Sequence, residues 1–168
     1  MGGVIRPATR ADVPTILSFI RELAEYEKLS HEVVATEEAL ELHLFGTRAF
    51  AECMIAVDLS EDRREEVPVG FCLFFTNFST FLGKPGLYLE DLYVTPTARG
   101  RGHGKAMMVA LAGLADQRGY GRFEWSVLDW NKTSIDFYKQ LGAVALDDWT
   151  VHRLTPVAMR MVAQLGRE

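Results

Sequence analysis

The run Arg99-Gly100-Arg101-Gly102-His103-Gly104-Lys105 combines the two properties that hold an anion, bare backbone amides and nearby positive charge. Glycine lets an anion reach main-chain N–H groups that a side chain would screen. Residues 87–94 precede the run, with Leu87, Leu89, Leu92 and Val94 alternating or clustering with Tyr88 and Tyr93 as in a strand. Pro96 has no donor and stops that strand near Val94. Beyond the run, Ala106, Met107, Val109, Ala110, Leu111 and Leu114 continue as an apolar helix to Gln117. Strand, glycine turn and helix in succession aim unpaired N–H groups and the positive end of the helix dipole at one place, which suits a phosphate. Two other phosphate loops do not match. A dinucleotide fingerprint needs Gly-x-Gly-x-x-Gly, and a Walker loop needs Ser or Thr after its lysine, where this chain has Ala106. A plain turn, whose glycines only supply positive φ, stays open as the alternative.

The elements that must carry this loop fit into 168 residues, enough for one domain with a real core. Apolar residues at 48% and charged residues at 24% are ordinary for a globular chain. A net charge of −5 argues against nucleic acid or an anionic membrane as the main partner. The same acidity, beside one basic loop, suits a cationic substrate. Cys53 and Cys72 lie in apolar, strand-like runs with no metal-ligand spacing, so reduced core thiols and no metal are expected. His31, His43 and His152 form no ligand pattern. With no leader-like segment and no apolar run of transmembrane length, the cytoplasm is the expected compartment.

Along the chain, Val4 to Pro7 starts as a short strand, and Thr9 with Asp12 has the form of a capping box. Val13, Ile16, Leu17, Ile20, Leu23 and Ala24 recur at helical steps, and the polar end Glu25-Tyr26-Glu27-Lys28-Leu29-Ser30 is expected to project from the core. A second helix opens at Thr36 and runs to Phe45-Gly46. Residues 50–59 and 67–78 read as a hairpin, and the charged loop 60–66 between them is expected to be mobile and chemically silent. Gly83-Lys84-Pro85-Gly86 turns into the strand at 87–94. Residues 123–128 form the next strand, which closes a right-handed crossover between parallel strands. A short helix with Ile135, Phe137, Tyr138 and Leu141 follows Asp129-Trp130-Asn131. Terminal strands at 143–146 and 150–154 and a last helix at 156–165 complete the reading.

This order matches, over nearly the whole chain, the α/β fold of the Gcn5-related N-acetyltransferases. The Arg-Gly-x-Gly-x-Gly-Lys run, behind a strand carrying Glu90-Asp91, resembles their pyrophosphate loop. The resemblance implies a single domain over residues 1–168 and a mixed central sheet of about six to seven strands with flanking helices. Five local runs narrow it: Ile5-Arg6-Pro7-Ala8-Thr9, Glu22 through Leu29, Leu87-Tyr88-Leu89-Glu90-Asp91, Val127-Leu128-Asp129-Trp130-Asn131 and Phe137-Tyr138-Lys139. They resemble the spermidine/spermine (diamine) N-acetyltransferase branch, especially its second, thialysine type. That branch implies acetyl-coenzyme A as cosubstrate and direct transfer, in a ternary complex, to a primary amine of a diamine, polyamine or lysine-like compound such as thialysine. It also implies a homodimer. Transfer to another amine (an antibiotic, an amino acid, a protein amino group) and a non-catalytic acyl-coenzyme A sensor are the competing readings.

Residue by residue, the resemblance implies that Leu92, Tyr93 and Val94 lie along the pantetheine arm and thioester, with backbone groups offered by Leu92 and Val94. It implies that Arg99, Gly100, Arg101, Gly102, His103, Gly104 and Lys105 hold the pyrophosphate, with Asn131 and Ser134 as further cofactor contacts. Tyr138 takes the place of the general acid, and Tyr26, Glu27, Glu90 and Asp91 line the amine site. The chemistry is coherent. An alkyl ammonium, with a pKa of about 10.4 in water, must lose a proton before it attacks a thioester. A carboxylate such as Glu90, directly or through water, can hold it and take that proton. Backbone N–H groups near Leu92 can polarise the carbonyl, and a phenol can protonate the departing sulfur.

Plainer roles stand beside these. Tyr138 fits a half-buried packing position on an amphipathic helix, Asn131 a helix N-cap, and Glu90 a cross-strand ion pair. Tyr26-Glu27 fits a solvated helix end, and His103 a surface spacer between glycines. One departure bears on specificity. Where the branch carries Glu-Gly-Trp before a C-terminal strand, an ungapped reading from Gly142-Ala143 places Thr150, Val151 and His152, with Asp147, Asp148 and Trp149 a few residues earlier. Loss of that carboxylate implies weaker recognition of a second cationic group.

Overall fold

The computed structural model describes residues 3–59 and 65–166. Most of the charged loop expected between the hairpin strands, residues 60–64, lies outside the described residues. Strands β1 (Val4–Pro7), β2 (Glu52–Leu59), β3 (Glu66–Ser79), β4 (Lys84–Val94) and β5 (Phe123–Trp125) form one sheet in the order β1-β2-β3-β4-β5. All neighbours are antiparallel except β4 and β5, which are parallel. The helices are α1 (Val13–Tyr26), α2 (Glu37–Phe45), α3 (His103–Gln117), α4 (Lys132–Gln140) and α5 (Pro156–Gln164). The chain separates into two compact units, Met1–Ser126 with the sheet and α1 to α3, and Val127–Glu168 with α4 and α5. No helix among the described residues is long and apolar enough to cross a membrane.

Local chemistry sets the element ends. Asp12 accepts from the Thr9 backbone N–H at 2.7 Å and takes both Arg6 terminal nitrogens at 2.9 Å, which ties β1 to the start of α1. The Arg6 guanidinium holds the Asp12 carboxyl down at about 2. Thr36 caps α2 by accepting from the Ala39 N–H. The core between α1, α2 and the sheet is built from Ile16, Phe19, Leu44, Cys53, Ile55, Val57, Phe71 and Tyr93. Phe71 is fully buried and its ring lies 6.0 Å from that of Phe19. Phe71→Ala is expected to cost about 3–5 kcal/mol, read as a lower denaturation midpoint. Burial pushes the Cys72 thiol up to about 12 and the Cys53 thiol up as well, so both are inert apolar residues.

Two observed features differ from expectation. Residues 143–146 and 150–154 form no strand, and among the described residues the sheet has five strands, against the six to seven expected. A strand needs a neighbour to take its N–H and C=O groups, and the second unit offers none; Val144, Trp149 and Val151 are each more than three-quarters exposed. Strand β5 is also shorter than the expected 123–128, ending at Trp125.

Candidate active site

Strand β4 is irregular where the chemistry was expected. Leu89 pairs with Phe74 and Asp91 pairs with Leu73, so Glu90 between them has no partner in the register and forms a bulge. The bulge switches faces. Leu87, Leu89, Asp91 and Tyr93 alternate as one face in the sequence, yet Leu89 shares the face of Phe74 while Asp91 shares that of Leu73 and Cys53. Asp91 and Tyr93 therefore turn toward α1.

Pairing with β5 stops at the same place. It covers Leu87 to Leu89, so residues 90–94 run on with β3 on one side and no strand on the other among the described residues. The antiparallel ladder then decides which backbone groups are free. The Thr95 N–H donates to Val69 O at 2.9 Å, so positions 95, 93 and 91 face β3 with their backbone groups. Leu92 and Val94, out of phase by one, turn theirs to the open edge. Val94 O already accepts from Arg99 Nε at 3.0 Å.

At the end of β4, a single 3-10 turn (Pro96–Ala98) leads into the glycine run and α3. Gly100 and Gly102 have φ of +74° and +91°, a region that side chains disfavour. A Cβ at either would meet no atom within 4 Å, so the space above both glycines is open. The first helical hydrogen bond of the next turn runs from Ala106 N–H to Gly102 O, and the N–H groups ahead of it have no intrahelical partner. Open space, orphan amides and the exposed Lys105 on the first turn fit a diphosphate.

The other basic residues of the run face elsewhere. The Arg99 guanidinium lies 5.0 Å from the Tyr26 ring centroid and 5.9 Å from that of Tyr93. Tyr93 in turn donates to Glu22 at 2.7 Å, and burial with that carboxylate pushes the phenol up to about 12. Arg101 pairs with Asp58 at 2.8 Å. His103, expected as a surface spacer, is buried, 1% exposed, with Nε2 at 3.3 Å from Asp58 Oδ1. The correction has a simple cause: α3 begins at His103, and its first turn lies against the sheet. Only its main chain is left for a ligand.

The acidic residues gather. Burial, then the negative charges of Glu90 and Glu27, push the Asp91 carboxyl up to about 7. Burial also raises Glu27, the residue after the last turn of α1. Glu90 is exposed on its bulge, and no ion pair to it occurs among the described residues, so the cross-strand pairing considered for it is not what the fold uses. Tyr26, Glu27, Glu90 and Asp91 thus belong to one neighbourhood of the first unit. The phase break at Asp91, a carboxylate where the alternation calls for an apolar residue, was the one sequence signal for the bulge. Asp58 gave no signal.

In the second unit, Asn131 caps α4, its side-chain oxygen accepting from the Ser134 N–H at 3.3 Å. Tyr138 is half-buried on α4, with its ring 5.2 Å from Phe137. His152 Nδ1 lies 3.0 Å from Thr150 O. No group of three or more His, Cys, Asp or Glu among the described residues could hold a metal ion.

A bulged strand with an open edge, feeding a glycine loop and a helix, is the cofactor-binding half of an acyltransferase. The chain belongs to the acetyltransferase (GNAT) family, whose model matches residues 20–143. It is an N-acetyltransferase dependent on acetyl-coenzyme A. The thialysine N-epsilon-acetyltransferase of Bos taurus is 42% identical over 165 residues, covering 95% of this chain and 96% of that one. An L-ornithine N5-acetyltransferase of Arabidopsis thaliana is 34% identical, covering 96% and 88%. An integron cassette protein from the mobile metagenome of V. cholerae shares the fold, with a TM-score of 0.76 at 23% identity over 98% of this chain and 99% of that one.

Proposed function

We propose that the protein acetylates a primary amine of a small diamine, polyamine or lysine-like compound such as thialysine, by direct transfer in a ternary complex. The observation that carries this reading is the gathering of Glu27, Glu90 and Asp91, an anionic neighbourhood on the strand that ends at the glycine loop. Burial and the charges of Glu90 and Glu27 raise the proton affinity of Asp91, so a cation placed beside it relieves the cost of its charge. Bound acetyl-coenzyme A supplies an activated acetyl thioester. The open-edge backbone of Leu92 and Val94 holds the pantetheine arm and, as negative charge develops on oxygen, polarises the carbonyl. The amides of residues 100–105, with Lys105, grip the diphosphate, and Asn131 and Ser134 add contacts from the start of α4. Tyr26, Glu27 and Asp91 seat the ammonium, and Glu90 takes its proton directly or through water. Tyr138 returns a proton to the thiolate. A cytoplasmic homodimer with no nucleic-acid, membrane or metal partner completes the reading.

Thiol release from acetyl-coenzyme A across thialysine, lysine, ornithine, putrescine, spermidine and an aminoglycoside tests it. Turnover is expected with the small aliphatic amines and weakest with spermidine, whose further charges meet Thr150 and His152 where the branch has a glutamate and a tryptophan. Preference for the aminoglycoside, or coenzyme A binding without turnover on any amine, overturns it. Tyr138→Phe is expected to lower kcat about 100-fold with little change in either KM, which steady-state kinetics checks.

A further inference from the structure

We propose that Asp58, near the end of β2, is a positioning residue for the phosphate-gripping loop. The proposal rests on the diphosphate reading of that loop. The two oxygens of one carboxylate divide between the two side chains that flank Gly102, Oδ2 at 2.8 Å from Arg101 and Oδ1 at 3.3 Å from His103. Asp58 sits on a paired strand, opposite Val67 of β3, so its backbone is held. The run holds three glycines in seven residues, so ordering its backbone costs more conformational entropy than ordering other residues would. Pairing Arg101 with this carboxylate, with the His103 ring placed against its other oxygen, meets that cost before a ligand arrives, which is how preorganisation raises affinity.

His103 supports the assignment. Its side chain is 0% exposed and neither ring nitrogen makes a hydrogen bond among the described residues. Gly3 packs against the ring so closely that a Cβ there would meet Cε1 at 2.6 Å. An aliphatic side chain would fill that slot without burying polar atoms. An imidazole at 3.3 Å from Asp58 instead keeps the first residue of α3 linked to β2.

Charge alone argues the opposite sign. A carboxylate beside a diphosphate repels it, so if Asp58 did nothing but carry charge, its removal would tighten binding. Coenzyme A titrated calorimetrically into the wild type and variants, with no amine and no turnover, therefore decides. Asp58→Ala is expected to weaken coenzyme A binding about tenfold, with Asp58→Glu recovering part of the loss. Arg101→Ala weakens binding too, and the double variant is no weaker than the weaker single one, because both act through one contact. In steady-state kinetics the KM for acetyl-coenzyme A rises while kcat and the amine KM hold; a merely structural role would lower the melting temperature and move both KM values together. If Asp58→Ala does not fold, the isosteric Asp58→Asn carries the same test. Variants that bind coenzyme A as tightly as the wild type, or more tightly, overturn the proposal alone. A wild type indifferent to coenzyme A overturns the diphosphate reading and this one with it.

Discussion

Asp91→Asn is expected to lower kcat/KM for a small diamine about 100-fold at pH 7.5 while raising the melting temperature by about 5 °C at pH 8. Both effects come from one crowded position. Burial and the charges of Glu90 and Glu27 push the Asp91 carboxyl up to about 7, so the fold tolerates its charge poorly. The sign of the stability effect follows from where the proton sits. Folded Asp91 keeps its proton up to about 7, whereas an unfolded aspartate releases it near 3.8. Between those values the folded state binds more protons, so this group's contribution is full below 3.8 and is lost as pH rises through 7. An amide carries no such penalty, so the variant gains most at pH 8 and least near pH 4.

Activity runs the other way. An ammonium is held by the ionised carboxylate, so wild-type kcat/KM rises with pH through about 7, and the asparagine variant loses that limb. Thermal melts at the two pH values and a pH–rate profile check both halves. An unchanged rate removes Asp91 from the amine site. A melting temperature that does not respond at pH 8 means that solvent already relaxes the charges around it.

Gly102→Val is expected to weaken coenzyme A binding about 100-fold, at a stability cost of about 1–3 kcal/mol. Gly102 has φ of +91° and precedes the first residue of α3, so a β-branched residue there must distort the loop or bear the strain. No atom lies within 4 Å of where its Cβ would stand, so the free protein has no clash to relieve. The valine instead fills space above the amides. Gly113 provides the contrast: its Cβ would also meet nothing within 4 Å, but it lies inside α3 at an ordinary φ. Gly113→Ala is expected to stabilise by about 0.5–1 kcal/mol and leave binding alone. Calorimetry with coenzyme A on both variants separates a ligand cradle from a merely flexible turn.

The residue types by themselves determined the order of elements from β1 to α4, the crossover from β4 through α3 to β5, and the position of the glycine loop. Those depend on short-range physics: apolar period, the missing donor of Pro96, glycine at positive φ, and caps such as Thr36 and Asn131. Only the tertiary structure decided which side chains meet. A single bulge at Glu90 moves Asp91 to the α1 face and turns the backbone groups of Leu92 and Val94 to the side that β5 leaves unpaired, because one extra residue reverses a strand's alternation. The burial of His103, the pairing of Arg101 with Asp58 and the placing of Arg99 over Tyr26 join residues 43 to 73 positions apart, which no local pattern encodes. The terminal strands failed for the same reason in reverse. Residues 143–146 and 150–154 have the composition of strands, but a strand exists only where another chain segment accepts its hydrogen bonds.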